Sequence, residues 1–566
     1  MAVFVLCATT SLALRHRRRE LALLRAIGTT PRQLHHMIAA ESTVAGLVAG
    51  VLGCPLGAGV VYWLSSQFAG RGIVPPDFQP VIGPLPFLAA VVTAVAAAFV
   101  AARRAARIRP TEALGEAASE PARLSRGRLI TGGVLLALAA SVLGLGLGYR
   151  ADFVTLMGLA NSLVLLLAAA AAVLGPLLTR TAARLLVPVL NRTGVTGWLA
   201  AANSRSGAVR TAGAVTPLIL AVSFAATVVF TQTTQLSESA DQIRSGTVAD
   251  HVLTAPTGLS PQLAYRAAEL PDVQAATGVV RSKAVGVASL LGEQETVSLS
   301  AQGIEPRALA STLDLDRRDG DLSALTRDTV ALSTTAASWL GLDVGDWAHL
   351  HLGDGTPFDG KVIAVYGRGF GFADLTFDHD LLLSHTTDAV DGSVLVRSAP
   401  GAADTERQLA ALARDYPGTV LSGALAADAQ VEEARATAWV NYLVVGLIIA
   451  YTAITVVNTQ AMNTIARRRE FALLRLTGTN RSQVLSMMRR ESAVVVAVGA
   501  VVGVALALPP LVLVAVALTG TPLPSAPILG WLVILGSTAV LAVAGAMLPA
   551  RLMLRARPVE AIGMKE

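Results

Sequence analysis

Apolar residues along the chain collect into nine stretches separated by loops of two kinds. Residues 38–66, 84–102, 129–149, 154–178, 211–235, 438–464, 492–518 and 528–550 each reach about the ~20 residues that a helix needs to cross a hydrocarbon layer, and a shorter stretch covers 1–14. The arginines of 15–19, 103–109, 180–210, 467–469 and 551–557 all fall on one side of a membrane if the stretches cross it in turn. The positive-inside bias puts that side in the cytoplasm and puts the one long polar segment, 236–435, outside it. The pattern therefore predicts a polytopic α-helical membrane protein of about nine spans. It comprises three spans in 1–120, two linker helices and a basic cytoplasmic segment in 121–210, one helix at 211–235, a polar domain over 236–435 and three spans in 436–566.

Within the polar domain the alternation changes period. Pro261–Leu270 follows Ser260 as a capped helix stopped by Pro271, whereas 284–291 and 296–301 alternate around the turn Gly292–Glu295. Trp347–Leu352 and Val362–Tyr366 bracket a glycine-rich turn over 353–360, which reads as a hairpin. The domain is thus α+β.

Charge sharpens this division. Residues 236–435 hold 28 acidic and 14 basic side chains, a net −14, and the rest of the chain carries +20, so the overall +6 conceals two oppositely charged parts. Arginines confined to short loops beside spans serve topology, and nucleic-acid binding is excluded. Only Lys283, Lys361 and Lys565 are lysine, a bias that with the many alanines suggests a GC-rich bacterial genome and a bacterial plasma membrane. Cys7 and Cys54 lie in apolar stretches, so the polar domain has no disulfide framework and no cysteine metal site.

Candidate chemistry is sparse. Gly355–Lys361 matches the spacing of a phosphate-binding loop, but Val362 replaces the hydroxyl residue that would hold Mg²⁺ and a strand follows where a helix is needed. His349 and His351 share one strand face and read as exposed hairpin residues. His35 and His36 read as facing headgroups, and Asp314, Asp316, Asp319 and Asp321 as a solvated loop without the glutamate of a calcium site. No nucleophile–base constellation stands out, so no enzymatic activity, metal or bound cofactor is expected of this chain. The spans carry almost no ionisable residues at mid-depth, which argues against an ion-driven transporter.

The informative signal is a repeat. Residues 17–42 and 467–492, offset by 450, share 14 of 26 positions, including Glu20/Glu470, Arg25/Arg475, Gly28/Gly478, Thr29/Thr479, Gln33/Gln483 and Glu41/Glu491. Each copy lies between two apolar stretches, and polar residues kept in both copies of a duplicated module point to a shared docking role. Gly28 and Gly478 sit where a helix C′ glycine would stand, and Thr30 or Asn480 followed by Gln33 or Gln483 forms a helix start. Both copies therefore predict helix, tight turn, helix: a rigid elbow. Glu41 and Glu491 open the following spans and either stay hydrated in the interface or pair with the nearest arginine of the preceding helix, Arg25 or Arg475. Met1 aligns with Tyr451, well inside a span, so the first copy reads as starting partway through a larger architecture; a short, tilted first helix is the alternative.

These elbows resemble the FtsX/MacB-like permease family of ABC transporters. So do the closings Arg109-Pro-Thr-Glu112-Ala-Leu and Arg557-Pro-Val-Glu560-Ala-Ile and the segment Ala331–Asp346. The resemblance implies an extracytoplasmic α+β domain of the MacB periplasmic type, and elbows that seat on two copies of a separate ATPase subunit carrying ATP and Mg²⁺. It further implies membrane lipid as surroundings and, for the full ten-span form, a missing N-terminal segment or partner permease. The implied function is coupling of ATP hydrolysis on that partner to movement of the outer domain and export of a lipid, lipoprotein or peptide. The alternative is signal transduction without transport, as an envelope-stress or peptide sensor or an activator of a cell-wall hydrolase.

Overall fold

The computed structural model describes residues 24, 27–69, most of 87–96, 126–148, 152–191, 208–290, 293–386, 389–422, 453–465 and 467–554, with isolated positions between 431 and 450. Among the described residues six helices are long and apolar enough to cross a membrane. They are α1 (Pro31–Ala69), α2 (Arg126–Gly148), α3 (Phe153–Asn191), α4 (Ala208–Gly246), α11 (Arg481–Thr519) and α12 (Ile528–Met553). The span expected at 1–14 lies wholly and that at 84–102 largely outside the described residues, and of the span expected at 438–464 the part from 453 on is described and helical.

Four of these helices, α1, α3, α4 and α11, run for 39 residues. At ~1.5 Å per residue that is about 58 Å, roughly twice the thickness of a hydrocarbon core. The excess is polar and stays helical. α4 does not end at 235, where the outer domain was expected to begin. Leu236–Ser245 contains neither proline nor glycine, so the helix continues to Gly246 and leaves the membrane as a stiff stalk.

Helices in lipid gain nothing from burying apolar faces against one another, so close backbone approach and side-chain fit must hold them. Val215, Leu218 and Ile219 of α4 are buried against Val494, Val495 and Val498 of α11. The approach is closest at Gly499-Ala-Val-Val-Gly503, a small-x-x-x-small pair. A Cβ at Gly499 would stand 2.8 Å from the Leu218 Cβ, and one at Gly503 would stand 2.7 Å from the Val222 Cβ and 3.1 Å from the Ile219 carbonyl oxygen. α4 also packs on α3, and α3 packs directly on α11, so the three helices form one cluster.

The outer domain is a mixed α+β unit around one ten-stranded sheet. In chain order it comprises β1 (His251–Leu259), α5 (Pro261–Ala268), β2 (Val273–Leu290), β3 (Glu293–Ile304), α6 (Pro306–Thr312), β4 (Arg317–Gly320) and β5 (Thr329–Ser333). These are followed by α7 (Thr334–Leu340), β6 (Trp347–His351), β7 (Pro357–Tyr366), β8 (Leu375–Asp378), α8 (His379–Ser384), β9 (Asp391–Ser398), α9 (Thr405–Arg414) and β10 (Val420–Ser422). The sheet runs β10-β1-β9-β2-β3-β8-β5-β7-β4, with β6 pairing β2 and β7. Two hairpins are tighter than the glycine pattern suggests. Leu290 pairs Glu293, so β2 and β3 extend through the expected turn at 292–295, and His351 pairs Pro357, so β7 starts five residues before the expected Val362. In each case ladder hydrogen bonds continue as far as a short connection permits, and polar side chains on the solvent face cost the strand nothing. Val280, Leu299, Val330, Leu332, Val362, Leu375 and Phe377 form the main core of the domain.

The close approach of α4 to α11 is open to test. Gly503→Leu should lower the thermal stability of the purified protein in detergent by about 1–3 kcal/mol, because the inserted atoms have no room. Gly536→Leu in α12 serves as the control, since nothing lies within 4 Å of its Cβ position, and it should change little.

Candidate functional site at the elbows

The second elbow is described in full. α10 (Arg468–Leu476) ends in a left-handed Gly478 at φ +97°, with the Thr479 N–H donating to the Leu474 carbonyl at 3.1 Å and the Gly478 N–H to the Arg475 carbonyl at 3.2 Å. These are the two crossed bonds of a glycine-terminated helix, and they satisfy carbonyls that would otherwise be orphaned. No atom lies within 4 Å of the Gly478 Cβ position, so the glycine is required by its φ and not by crowding. α11 then begins at Asn480, whose N–H donates to the Gln483 side chain at 2.9 Å. The first elbow repeats the construction: Gly28 at φ +104°, Thr29 N–H to the Leu24 carbonyl at 3.1 Å, Thr30 N–H to the Gln33 side chain at 2.9 Å and Gln33 N–H to the Thr30 hydroxyl at 3.3 Å. Glu20 and Arg25 lie outside the described residues.

One face of the second elbow is anchored and the other is bare. Phe471 and Ala472 are buried, Phe471 among Val484, Met487 and Met488 of α11 and Met547 and Ala550 of α12. On the opposite side Leu473 and Leu476 are more than half exposed, as is Ile27 at the tip of the first elbow.

The anchor is electrostatic as well as apolar. Arg467 engages Glu470 through two hydrogen bonds of 3.0 Å, reaches Glu491 at 2.7 Å and lies 5.0 Å above the Phe471 ring. The planar guanidinium fork permits all of this at once, which an ammonium could not do. Glu491 is buried, and its partner is Arg467 rather than the expected Arg475. The reason is geometric. In an antiparallel helix pair, residues equidistant from the turn face one another, and Arg467 and Glu491 each stand twelve positions from Thr479. Arg475 lies too near the turn and instead donates to the Leu554 carbonyl at the inner end of α12, at 3.3 Å. That is where a cation is favoured by the helix dipole. Glu41, the counterpart of Glu491, is exposed. Around Arg467 a cavity of about 50 Å³ is lined by Gln460, Asn463, Thr464, Glu491 and Ser492, all on the membrane side of the elbow.

Comparison with known proteins bears on this arrangement. The FtsX-like permease C-terminal family matches residues 1–110 and 442–558, the two stretches that carry the elbows. Both stretches are FtsX-like permease domains. Among solved structures, the chain resembles the periplasmic region of MacB from Actinobacillus actinomycetemcomitans at 17% identity, over 34% of this chain and 95% of that one, with a TM-score of 0.27. It also resembles the extracellular domain of the noncanonic ABC-type transporter YknZ from Gram-positive bacteria at 16% identity, over 30% of this chain and 98% of that one, with a TM-score of 0.24. No curated protein matches. The chain is a multi-pass membrane protein with an α+β domain outside the cytoplasm.

The sequence-level candidates in that outer domain take ordinary places. His349 pairs with Asp359 at 2.6 Å across the β6–β7 hairpin, and Asp321 caps a short 3₁₀ turn. Asp314 pairs with Arg368, and Asp316 with Arg318, both at 2.6 Å. Among the described residues no group of three or more His, Cys, Asp and Glu is placed to hold a metal. The phosphate-loop mimic at Gly355–Lys361 lies across the hairpin turn and β7.

Composition gave no hint of the network around His379. It is buried, its Nε2 2.8 Å from the fully buried Asp391 and its Nδ1 3.1 Å from Asp380, which also accepts from the Tyr265 hydroxyl at 3.3 Å. A cavity of about 400 Å³ opens beside it, lined also by Tyr265, Glu305, Arg307 and Asp378.

Two predictions follow from these contacts. Glu491→Gln removes one of the two carboxylates that compensate a nearly buried guanidinium, and it should destabilise the protein, by less than the ~3–5 kcal/mol of an isolated buried pair because Glu470 remains. Arg475→Gln should leave the Arg467–Glu491 pair intact, and a double-mutant cycle should show coupling of Glu491 to Arg467 and none to Arg475. For His379, burial disfavours the charged ring, but hydrogen bonds to Asp391 and Asp380 outweigh it and raise the pKa from 6.5 to about 8. The charged ring is thus favoured by folding. Its contribution, on the order of 2 kcal/mol, should be fully present below about pH 6.5 and disappear as the pH rises through about 8. Melting temperatures across pH 6–9 should show this slope in the native protein and lack it in His379→Gln.

Proposed function

We propose that this permease converts ATP binding and hydrolysis on a separate ATPase subunit, present in two copies, into movement of the outer domain, and that the movement drives export of a lipid, lipoprotein or peptide. The observation that carries the reading is the twice-built turn: a glycine cap with exposed apolar side chains beside it, at equivalent places in two permease domains, the second anchored on its inner face through Phe471 and Arg467. A turn held by its own hydrogen bonds transmits displacement, and exposed leucines flanking it offer an apolar seat for a partner. ATP and Mg²⁺ belong to that partner, and this chain supplies the lever.

In the proposed cycle, closure of the two ATPase subunits draws the elbows together. The second elbow is continuous with α11, α11 grips α4 at Gly499 and Gly503, and α4 enters β1 five residues after its end. Displacement at the cytoplasmic surface therefore reaches the outer sheet through two long helices. Signalling without transport uses the same lever, and the two differ in output: vectorial movement of a lipid or peptide marks transport, and activation of a partner protein without movement marks signalling.

Proline fixes φ near −65°, whereas the two elbow glycines need φ near +100°. Gly28→Pro combined with Gly478→Pro should leave the amount of protein in the membrane nearly unchanged but lower ATPase stimulation in the reconstituted complex at least tenfold. Wild-type stimulation in the double variant rejects the docking role.

A further inference from the structure

The pair α2–α3 belongs to neither permease domain, yet its outer end touches the outer domain. Asp152 stands immediately before α3 and accepts from the Thr155 N–H at 3.3 Å and the Thr155 hydroxyl at 2.6 Å, so it caps the helix. The same carboxylate accepts from the Ser338 hydroxyl of α7 at 2.7 Å, across 186 residues of chain. Next to it, the Phe153 ring meets the Phe370 ring with centroids 5.7 Å apart and planes inclined at 59°. A residue that already caps its own helix does not need Ser338, so the contact is an addition to the helix start.

Phe370 lies in the loop 367–374 between β7 and β8, and this loop is held from three directions. The Gly371 N–H donates to the Gln242 side chain near the outer end of α4 at 2.9 Å, and a Cβ at Gly371 would stand 2.7 Å from the Gln242 Cβ. Arg368 pairs with Asp314 at 2.6 Å within the domain. Phe370 also packs into the cluster formed by Leu163 and Leu167 of α3 with Leu513 and Leu518 at the outer end of α11. One loop thus joins the stalk, the linker pair and the outer end of the lever.

These attachments differ in kind. α4 is covalently continuous with the domain, so the domain must follow it. The link to α3 is one hydrogen bond, one ring pair and the packing of Phe370 in the cluster that holds Leu163 and Leu167, and α3 is packed along α4 in the membrane. Any displacement of α4 along or around α3 must shear that link. We propose that the contact of Asp152 and Phe153 with Ser338 and Phe370 is an outer latch, which holds the domain against the linker pair in the resting state and opens during the stroke. The linker helices are then a fixed post for the moving domain, a role that their place outside both duplicated domains leaves open to them. This inference rests on the proposed coupling of α4 to an ATPase.

The test uses the full chain with Cys7 and Cys54 replaced, carrying Asp152→Cys and Ser338→Cys, reconstituted in vesicles with its ATPase. A short bis-methanethiosulfonate reagent should cross-link the pair efficiently without nucleotide and at least fivefold less with ATP and vanadate. The cross-linked protein should lose at least tenfold in coupled output and regain it on reduction. In a protein without the cysteines, Ser338→Ala and Phe370→Leu should each raise unstimulated ATPase activity. A yield independent of nucleotide, absence of cross-linking in either state, or full output from the cross-linked protein overturns the latch. If the elbow-proline variant still loses coupling in that case, the latch alone is wrong; if that variant is also silent, the coupling reading falls with it.

Discussion

A hydrocarbon layer offers a peptide group no hydrogen-bond partner except another peptide group, and the rest of this structure answers to that constraint. Every span must be helical, and a helix once begun ends only where its sequence supplies a breaker and its last carbonyls find partners. α4 and α11 cross the hydrophobic layer and continue into water for want of such a breaker, α4 outward to Gly246 and α11 inward to Asn480. Apart from Pro217 in α4 and Pro509 and Pro510 in α11, which each remove one rung of the ladder, both are hydrogen-bonded along their length and stiff between those points. A structural necessity of the membrane thus provides two long members that reach from the membrane to its opposite faces.

Stiff members transmit displacement only where their joints are tight. At the inner end the joint is Arg467, which meets Glu470 on its own helix, Glu491 on the next and the Phe471 face, with its charge doubly compensated in a nearly buried setting. In the membrane the joint is backbone proximity at Gly499 and Gly503. Charge serves where water thins out at the interface, and small residues serve where charge is costly.

Much of this was legible in the residues. Span positions, sidedness and the elbow turns follow from apolar length, arginine placement and glycine position, each a local property of a short stretch. The Arg467–Glu491 pairing is implicit in the residues, because equal distance from Thr479 dictates it, whereas nearness to the turn alone favours Arg475. Gly499-Ala-Val-Val-Gly503 stood in plain view as a packing motif, masked by a stretch in which glycine and alanine are common. Asp152 and His379 were not legible. Their partners, Ser338 and Asp391, come from distant elements brought together by helix packing and sheet order, and no pattern along the chain encodes that adjacency.

The duplication itself acquires a mechanical sense from these joints. The two elbow turns are built alike, yet the helix that leaves the second one, α11, packs along the helix that carries the outer domain, α4. In the proposed cycle, force entering at Gly478 needs to cross a single interface to reach the stalk. That interface is made by glycines, so the two backbones lie close and a shift of one helix leaves little slack before the other must follow. The connection from elbow to outer domain therefore depends less on the order of segments in the chain than on one face of α4, where Leu218 and Val222 meet Gly499 and Gly503.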